Sequence, residues 1–259
     1  MSEETDPFER ALARTEADIV SALRAAGAHT RELKKAQKCA AAGSIRELER
    51  ALEAADDLGG SLREGVRMAK GGWSFDVRQH FESGGYTREL LARAQAAGLV
   101  LQEQDDRIVA FPSLARLVPA ESAIDVNKKR ERSIRPSAVV ERFRAARDQP
   151  VRFKPEPFLE ALLQAYRFVL GEEKREGGST VKLLDIYRVL TVLPGSAPSY
   201  PKPEFARDIY LLEESGVRRT REGLEVVWPA AAGTRGTQTL GTVTRDGRLR
   251  VYYGIAFEQ

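Results

Sequence analysis

Apolar positions near the start of the chain recur every three or four residues. From Asp6 to about Ala26 the series Phe8, Leu12, Ile19, Leu23 and Ala26 falls on one helical face. Gly27 is expected to interrupt that helix, a second helical stretch is predicted over 31–42, and Gly43 should end it. Ser44 to Glu47 reads as a capping box, in which the serine and glutamate side chains satisfy free backbone amides at a helix start. Ile45, Leu48, Leu52, Ala55, Leu62, Val66 and Ala69 continue the stripe. The pattern predicts an alanine-rich arm over 1–70 with a narrow apolar seam. It suits an antiparallel hairpin, a short coiled coil or a dimer arm, with a helical subdomain packed on its own chain as the alternative.

Gly71-Gly72-Trp73 breaks the pattern and marks a domain boundary. A helix predicted over 86–97 carries Leu90, Leu91 and Ala94 on one face and stops at Gly98. Two short β-prone runs, 99–104 and 108–112, then flank Asp105-Asp106-Arg107 as a hairpin. The same order returns later: a helix over 203–215, Gly216, and the runs 217–220 and 224–228 around Arg221-Glu222-Gly223. Both hairpins stop at a proline, Pro112 and Pro229. Helices over 157–170 and 181–193 precede the second copy, and a hairpin joining 237–244 to 248–256 at Asp246-Gly247 follows it.

Charge changes this picture locally. The chain of 259 residues carries a formal net charge of only +3, a weak signal of any partner. Between Lys128 and Lys154, however, ten cations face only Glu131, Glu141 and Asp148. A helix capped by Ser137 would turn Val139, Val140 and Phe143 inward and leave Arg142, Arg144 and Arg147 together outside, beside the basic run Lys128, Lys129, Arg130, Arg132 and Arg135. Such a patch suits a phosphate backbone, an acidic protein surface or plain solvent. Arg218, Arg219 and Arg221 form a second, smaller group.

Three helices followed by a hairpin resemble the winged-helix superfamily, carried by 205–216 as third helix and 217–228 as wing. The resemblance covers 156–228 well and 75–112 less well. Tandem units of this kind beside a helical arm are similar to accessory subunits of bacterial condensin-like ATPase complexes. The resemblance implies an α+β, mainly helical fold: an arm (1–70), a first winged-helix-like module (71–126), a basic connector (127–155), and a C-terminal module with an extra hairpin (156–259). It also implies a nucleic-acid-binding adaptor in a bacterial genome-maintenance or phage-defence complex, touching duplex DNA at phosphate without base readout, with an ATPase as protein partner. A homodimer through the N-terminal helices and a purely protein–protein scaffold are the alternatives. The third helix offers Lys202 and Arg207 against Asp208, Glu213 and Glu214, a poor groove-reading surface.

Chemistry is not expected. Only His29 and His80 are available as imidazoles, Cys39 is the lone thiol, and no P-loop motif is present. Carboxylate pairs such as Asp56-Asp57 and Asp105-Asp106 fall at helix ends or turns. No cofactor or metal is predicted. With 42% hydrophobic and 31% charged residues the chain should fold, and it has neither a spanning apolar run nor a signal-peptide pattern, so a cytoplasmic location is expected.

Overall fold

The computed structural model describes residues 7–173, 176–229 and 239–259. It is an α+β fold, mainly helical, with a helical arm followed by small sheets. Two compact units meet between Glu89 and Leu90. Among the described residues no helix is long and apolar enough to cross a membrane.

The first unit is dominated by two long helices, α1 (Pro7–Ala42) and α2 (Ile45–Gly72), folded back on one another. Contrary to the expected break, α1 runs straight through Gly27. One interior glycine costs only about 1 kcal/mol relative to alanine, less than a continuous packed seam returns. The helix ends at Gly43, whose φ of +72° a β-carbon would resist. The capping box does not form: Ser44 sits at φ −82°, ψ 78° and its side chain makes no cap bond, while its N–H donates to the Cys39 carbonyl at 2.9 Å.

The seam between these helices follows a seven-residue repeat. Phe8, Thr15, Ala22, His29 and Ala36 alternate with Ala11, Asp18, Ala25, Glu32 and Cys39 on α1, all buried or half-buried. Leu48, Ala55, Leu62 and Ala69 alternate with Ala51, Leu58 and Gly65 on α2. Small residues let the backbones approach, and a β-carbon on Gly65 would stand 3.3 Å from that of Ala22. The hairpin is therefore zipped by alanine rather than by leucine.

At its open end α1 is held by a distant carboxylate. Helix α3 (Val77–Glu82), capped by Asp76 on Gln79 N–H at 2.8 Å, leads into α4 (Gly85–Ala96). Glu89 on α4 is 1% exposed and accepts from the free N–H groups of Phe8 (3.1 Å) and Glu9 (2.7 Å). His80 lies 2.9 Å from the same carboxylate. Phe8, fully enclosed, sits among Phe75, His80 and Tyr86.

The second unit takes in the last turns of α4, which ends before Gly98 (φ +70°). Strands β1 (Gln102–Gln104), β2 (Arg107–Ala110), β3 (Ser113–Val118), β4 (Ala123–Val126) and β5 (Lys129–Glu131) form one antiparallel meander in chain order. The expected first hairpin is thus only two of five strands. Its turn, Asp105-Asp106, is left-handed at both residues, as two-residue hairpins require. Asn127-Lys128 makes the same turn between β4 and β5, and the Asn127 amide locks it by accepting from Leu114 N–H at 3.0 Å and donating to Ser113 Oγ at 3.1 Å.

Residues 127–147 are built into this fold rather than strung between modules. β5 closes the sheet edge, and α5 (Pro136–Arg147) buries Val139, Val140 and Phe143 as expected. Its N-cap is Arg135 and not Ser137, because Pro136 occupies the first helical position, where its fixed φ and missing N–H cost nothing.

The C-terminal residues form α6 (Pro155–Glu173), β6 (Val181–Lys182), α7 (Leu183–Leu190), α8 (Ser196–Ser199), α9 (Lys202–Ser215), β7 (Glu225–Val227), β8 (Leu240–Val243), β9 (Leu249–Tyr252) and β10 (Gly254–Glu258). The expected helix over 181–193 gives its first two residues to β6. β8 and β9 pair around Asp246-Gly247, but the strand predicted over 248–256 divides at Tyr253. Beyond it β10 leaves the hairpin and lies antiparallel between β6 and β7. Gly254 permits that switch, since a β-carbon there would stand 2.7 Å from Thr180 Cγ2 and 2.9 Å from the Val181 carbonyl oxygen. The expected residues Thr237 and Gln238 lie outside those described. Leu159, Leu162, Leu163, Ile186, Phe205, Ile209 and Ile255 are the centre of one core that also takes in Phe111 from the β2–β3 corner.

Removing the Glu89 carboxylate leaves two buried amides without an acceptor, a cost of about 1–3 kcal/mol. Glu89→Ala is expected to lower the urea midpoint accordingly, with Glu82→Ala, an exposed carboxylate nearby in sequence, close to native.

Candidate nucleic-acid interface

A helix that reads a major groove must present one face to it, so α9 decides the question of base reading. Of its residues only Lys202, Glu214 and Ser215 are exposed. Pro203, Phe205, Ala206, Ile209, Tyr210, Leu211 and Leu212 are buried. The polar positions are already engaged. Glu204 pairs with Lys128 at 3.0 Å, and Arg207 with Asp208 at 2.8 Å. Glu213 accepts from Tyr252 Oη and pairs with Arg250, both at 2.5 Å. Tyr210 donates to Glu214 at 2.6 Å and accepts from Arg245 N–H at 3.2 Å. The β8 strand packs along this helix, and the Arg245 guanidinium rests 5.3 Å from the Phe111 ring centroid.

The predicted basic residues fall at two places. Lys128, Lys129, Arg130, Arg132 and Arg135 follow the β4–β5 turn, and Arg142, Arg144 and Arg147 line α5. Most are matched by acids. Arg130 grips both oxygens of Asp125 and also meets Glu121, which raises its guanidinium pKa further and holds both carboxyls below their usual range. Arg132 reaches Glu121 only at 3.8 Å and Lys129 reaches Glu131 at 3.4 Å. Arg142 donates to the Ser133 carbonyl at 3.1 Å. Arg144 donates to Glu141 and to the Ala97 carbonyl, both at 2.7 Å, and Arg147 lies 3.6 Å from Asp148. The patch is thus largely internally neutralised. Exposed pairs of this kind are worth about 0–1 kcal/mol, so Lys129 and Arg132, 82% and 80% exposed at the side chain, are its most available cations.

The second group sits on the loop between α9 and β7. The expected strand 217–220 reduces to a single bridge, Arg219 to Glu225, closed by Thr220 N–H on the Leu224 carbonyl at 2.9 Å. The loop is pinned to α6, because Arg221 N–H donates to Glu160 at 2.7 Å and Arg167 binds both oxygens of Glu222. Arg219 reaches Glu225 at 3.6 Å, whereas the exposed Arg218 and Arg221 side chains have no partner among the described residues. This pinned loop presents arginines outward on a fixed backbone.

A third basic site escaped sequence reading. Arg245, Arg248 and Arg250 border a cleft of about 550 Å³ at the β8–β9 hairpin, with Tyr210, Glu213 and Glu214 as its acidic wall. The Asp246-Gly247 turn was the available signal, since arginines flank it at both sides. Among the described residues no group of three or more His, Cys, Asp and Glu side chains is placed to hold a metal ion. Comparison with protein-family models, curated proteins and solved structures finds no match.

Burial pushes three phenols of this region up. Tyr210 reaches about 12, helped by its bond to Glu214, and Tyr200 and Tyr252 rise as well. Unfolded phenols ionise near pH 10 while these stay protonated, so the native state binds more protons and stability falls as the pH rises from about 10 to about 12. The urea midpoint is expected to be lower at about pH 11 than at about pH 9, with a smaller drop in Tyr210→Phe.

Proposed function

We propose that this chain is a non-enzymatic adaptor subunit whose C-terminal residues form a winged-helix unit turned to packing instead of base reading. The order of elements supports the winged-helix reading: helix α6, strand β6, helices α7 and α9, strand β7, the β8–β9 hairpin as an extended wing, then β10 between β6 and β7. The observation that carries the functional reading is the burial of α9, which leaves only Lys202, Glu214 and Ser215 exposed among its fourteen residues. With its acids tied to Lys128, Arg245 and Arg250, α9 offers a groove only the residues at its two ends. Such a unit is suited to hold a partner chain, and in this reading the partner belongs to an ATPase complex of bacterial genome maintenance or phage defence.

Contact with nucleic acid is the second reading, favoured by the Arg218 and Arg221 side chains on the pinned loop, which are exposed and have no partner among the described residues. Arginine forks there suit phosphate oxygens and carry no base information.

Fluorescence anisotropy on a random duplex across a salt series tests both readings. The expected result is weak, sequence-independent binding with a log–log slope of about −2, since each neutralised phosphate contributes about −0.9. Arg218→Glu with Arg221→Glu should abolish it, and Lys129→Glu with Arg132→Glu should leave the slope near native. A slope beyond about −5, or discrimination between sequences, would overturn the adaptor reading.

A further inference from the structure

The two arm helices bury their seam against each other and leave one flank of the hairpin apolar. Positions next to the seam on α1 are Leu12, Ile19, Ala26 and Leu33, seven residues apart, with Leu23 beside them. On α2 the equivalent positions are Ile45, Leu52, Gly59 and Val66. In an antiparallel pair these two rows fall on the same side, because the flanking positions of one helix face the like positions of the other. Leu23, Ile45, Leu52 and Val66 are 65%, 59%, 50% and 54% exposed. Scattered apolar residues on a surface need no explanation, but a continuous row along both helices does.

Three glycines lie at one level of this flank. Gly65 faces Ala22, so six residues back along α2 the level of Gly59 is that of Ala28, next to Gly27. A β-carbon on Gly27 or Gly60 would meet nothing within 4 Å, and one on Gly59 only an ordinary contact with His29 at 3.5 Å. The hairpin's own packing therefore requires none of them, although each costs about 1 kcal/mol relative to alanine in a helix interior.

The side chains around that level are arranged symmetrically. Leu52 and Val66 each lie seven residues from Gly59. Leu23 and Leu33 each lie five from Ala28 on α1. Charges change sign across the glycine pair: Glu49, Glu53 and Asp56 precede it and Arg63, Arg67 and Lys70 follow, with Glu49 and Asp56 ten and three residues before Gly59 and Lys70 and Arg63 ten and three after Gly60. The helix dipole favours acids in the first turn and bases in the last, but it does not reach Glu53, Asp56 or Arg63.

We infer that this flank binds a second copy of the chain. A two-fold axis crosses the hairpin at the glycines, so that α2 runs antiparallel to the partner's α2 and α1 to the partner's α1. Leu52 then meets Val66 of the partner subunit, Leu23 meets Leu33 of the partner subunit, Glu49 meets Lys70 of the partner subunit and Asp56 meets Arg63 of the partner subunit. Glycines at the crossing allow the backbones to close, and the four helices make an antiparallel bundle. The inference uses residues of the arm alone and holds whether or not the chain touches nucleic acid.

Sedimentation equilibrium on the full chain tests it. The expected particle has twice the 28.7 kDa of one chain. Leu52→Asp with Val66→Asp should give a monomer with unchanged helical circular dichroism. Glu49→Lys with Asp56→Lys should raise the dissociation constant at least ~10-fold by placing like charges together, and adding Arg63→Glu with Lys70→Glu should restore it to within ~3-fold of native. That rescue distinguishes a matched interface from a folding defect or undirected stickiness. A monomer at every concentration would overturn the inference, as would a dimer indifferent to both the apolar and the charge substitutions.

Discussion

Residues 90–259 are organised around a helix that is exposed only at its ends. Phe205, Ile209 and Leu212 turn α9 into the centre of the core, β8 lies along it, and its ionic residues are spent on Lys128, Arg245 and Arg250. This one constraint explains several others. The β8–β9 hairpin keeps Tyr210 and Tyr252 out of water, and the β2–β3 corner delivers Phe111 into the same core. The β4–β5 turn points Lys128 at Glu204. The helix is the organiser of its own unit.

The helices were legible in the sequence because their apolar spacing is dense and their terminators are glycines with positive φ, Gly43, Gly98 and Gly216. The β strands were only partly so. Asp105-Asp106 announced its hairpin, but β3, β4 and β5 lie in a stretch of mixed charge whose turn, Asn127-Lys128, lacks the glycine that usually flags it. Missing that turn had a direct consequence for the basic patch: across it Arg130 stands opposite Asp125, so its neutralisation was readable once the register was known. The Lys128–Glu204 pair was not readable, since only the tertiary fold brings residues 76 apart in the chain together. The division of the last strand at Tyr253 was hidden for a similar reason, because the close contact that demands Gly254 comes from Val181.

The arm shows the opposite balance. Its repeat is entirely sequence-encoded, and the structure adds only which rows face inward. An alanine seam brings two helices close but removes little apolar area from water per residue, so the stability of such a hairpin depends on its ends and on whatever covers its flanks. The apolar row beside the seam is the larger hydrophobic resource of this unit.

The hold that Glu89 keeps on the amides of Phe8 and Glu9 sets an order of assembly. The start of the first helix is completed by a residue about eighty positions later, so during synthesis that turn has no acceptor until α4 has left the ribosome. A long-range cap of this kind couples the integrity of a helix start to a carboxylate that does not belong to that helix, so loosening α4 would strip the amides of Phe8 and Glu9 of their acceptor.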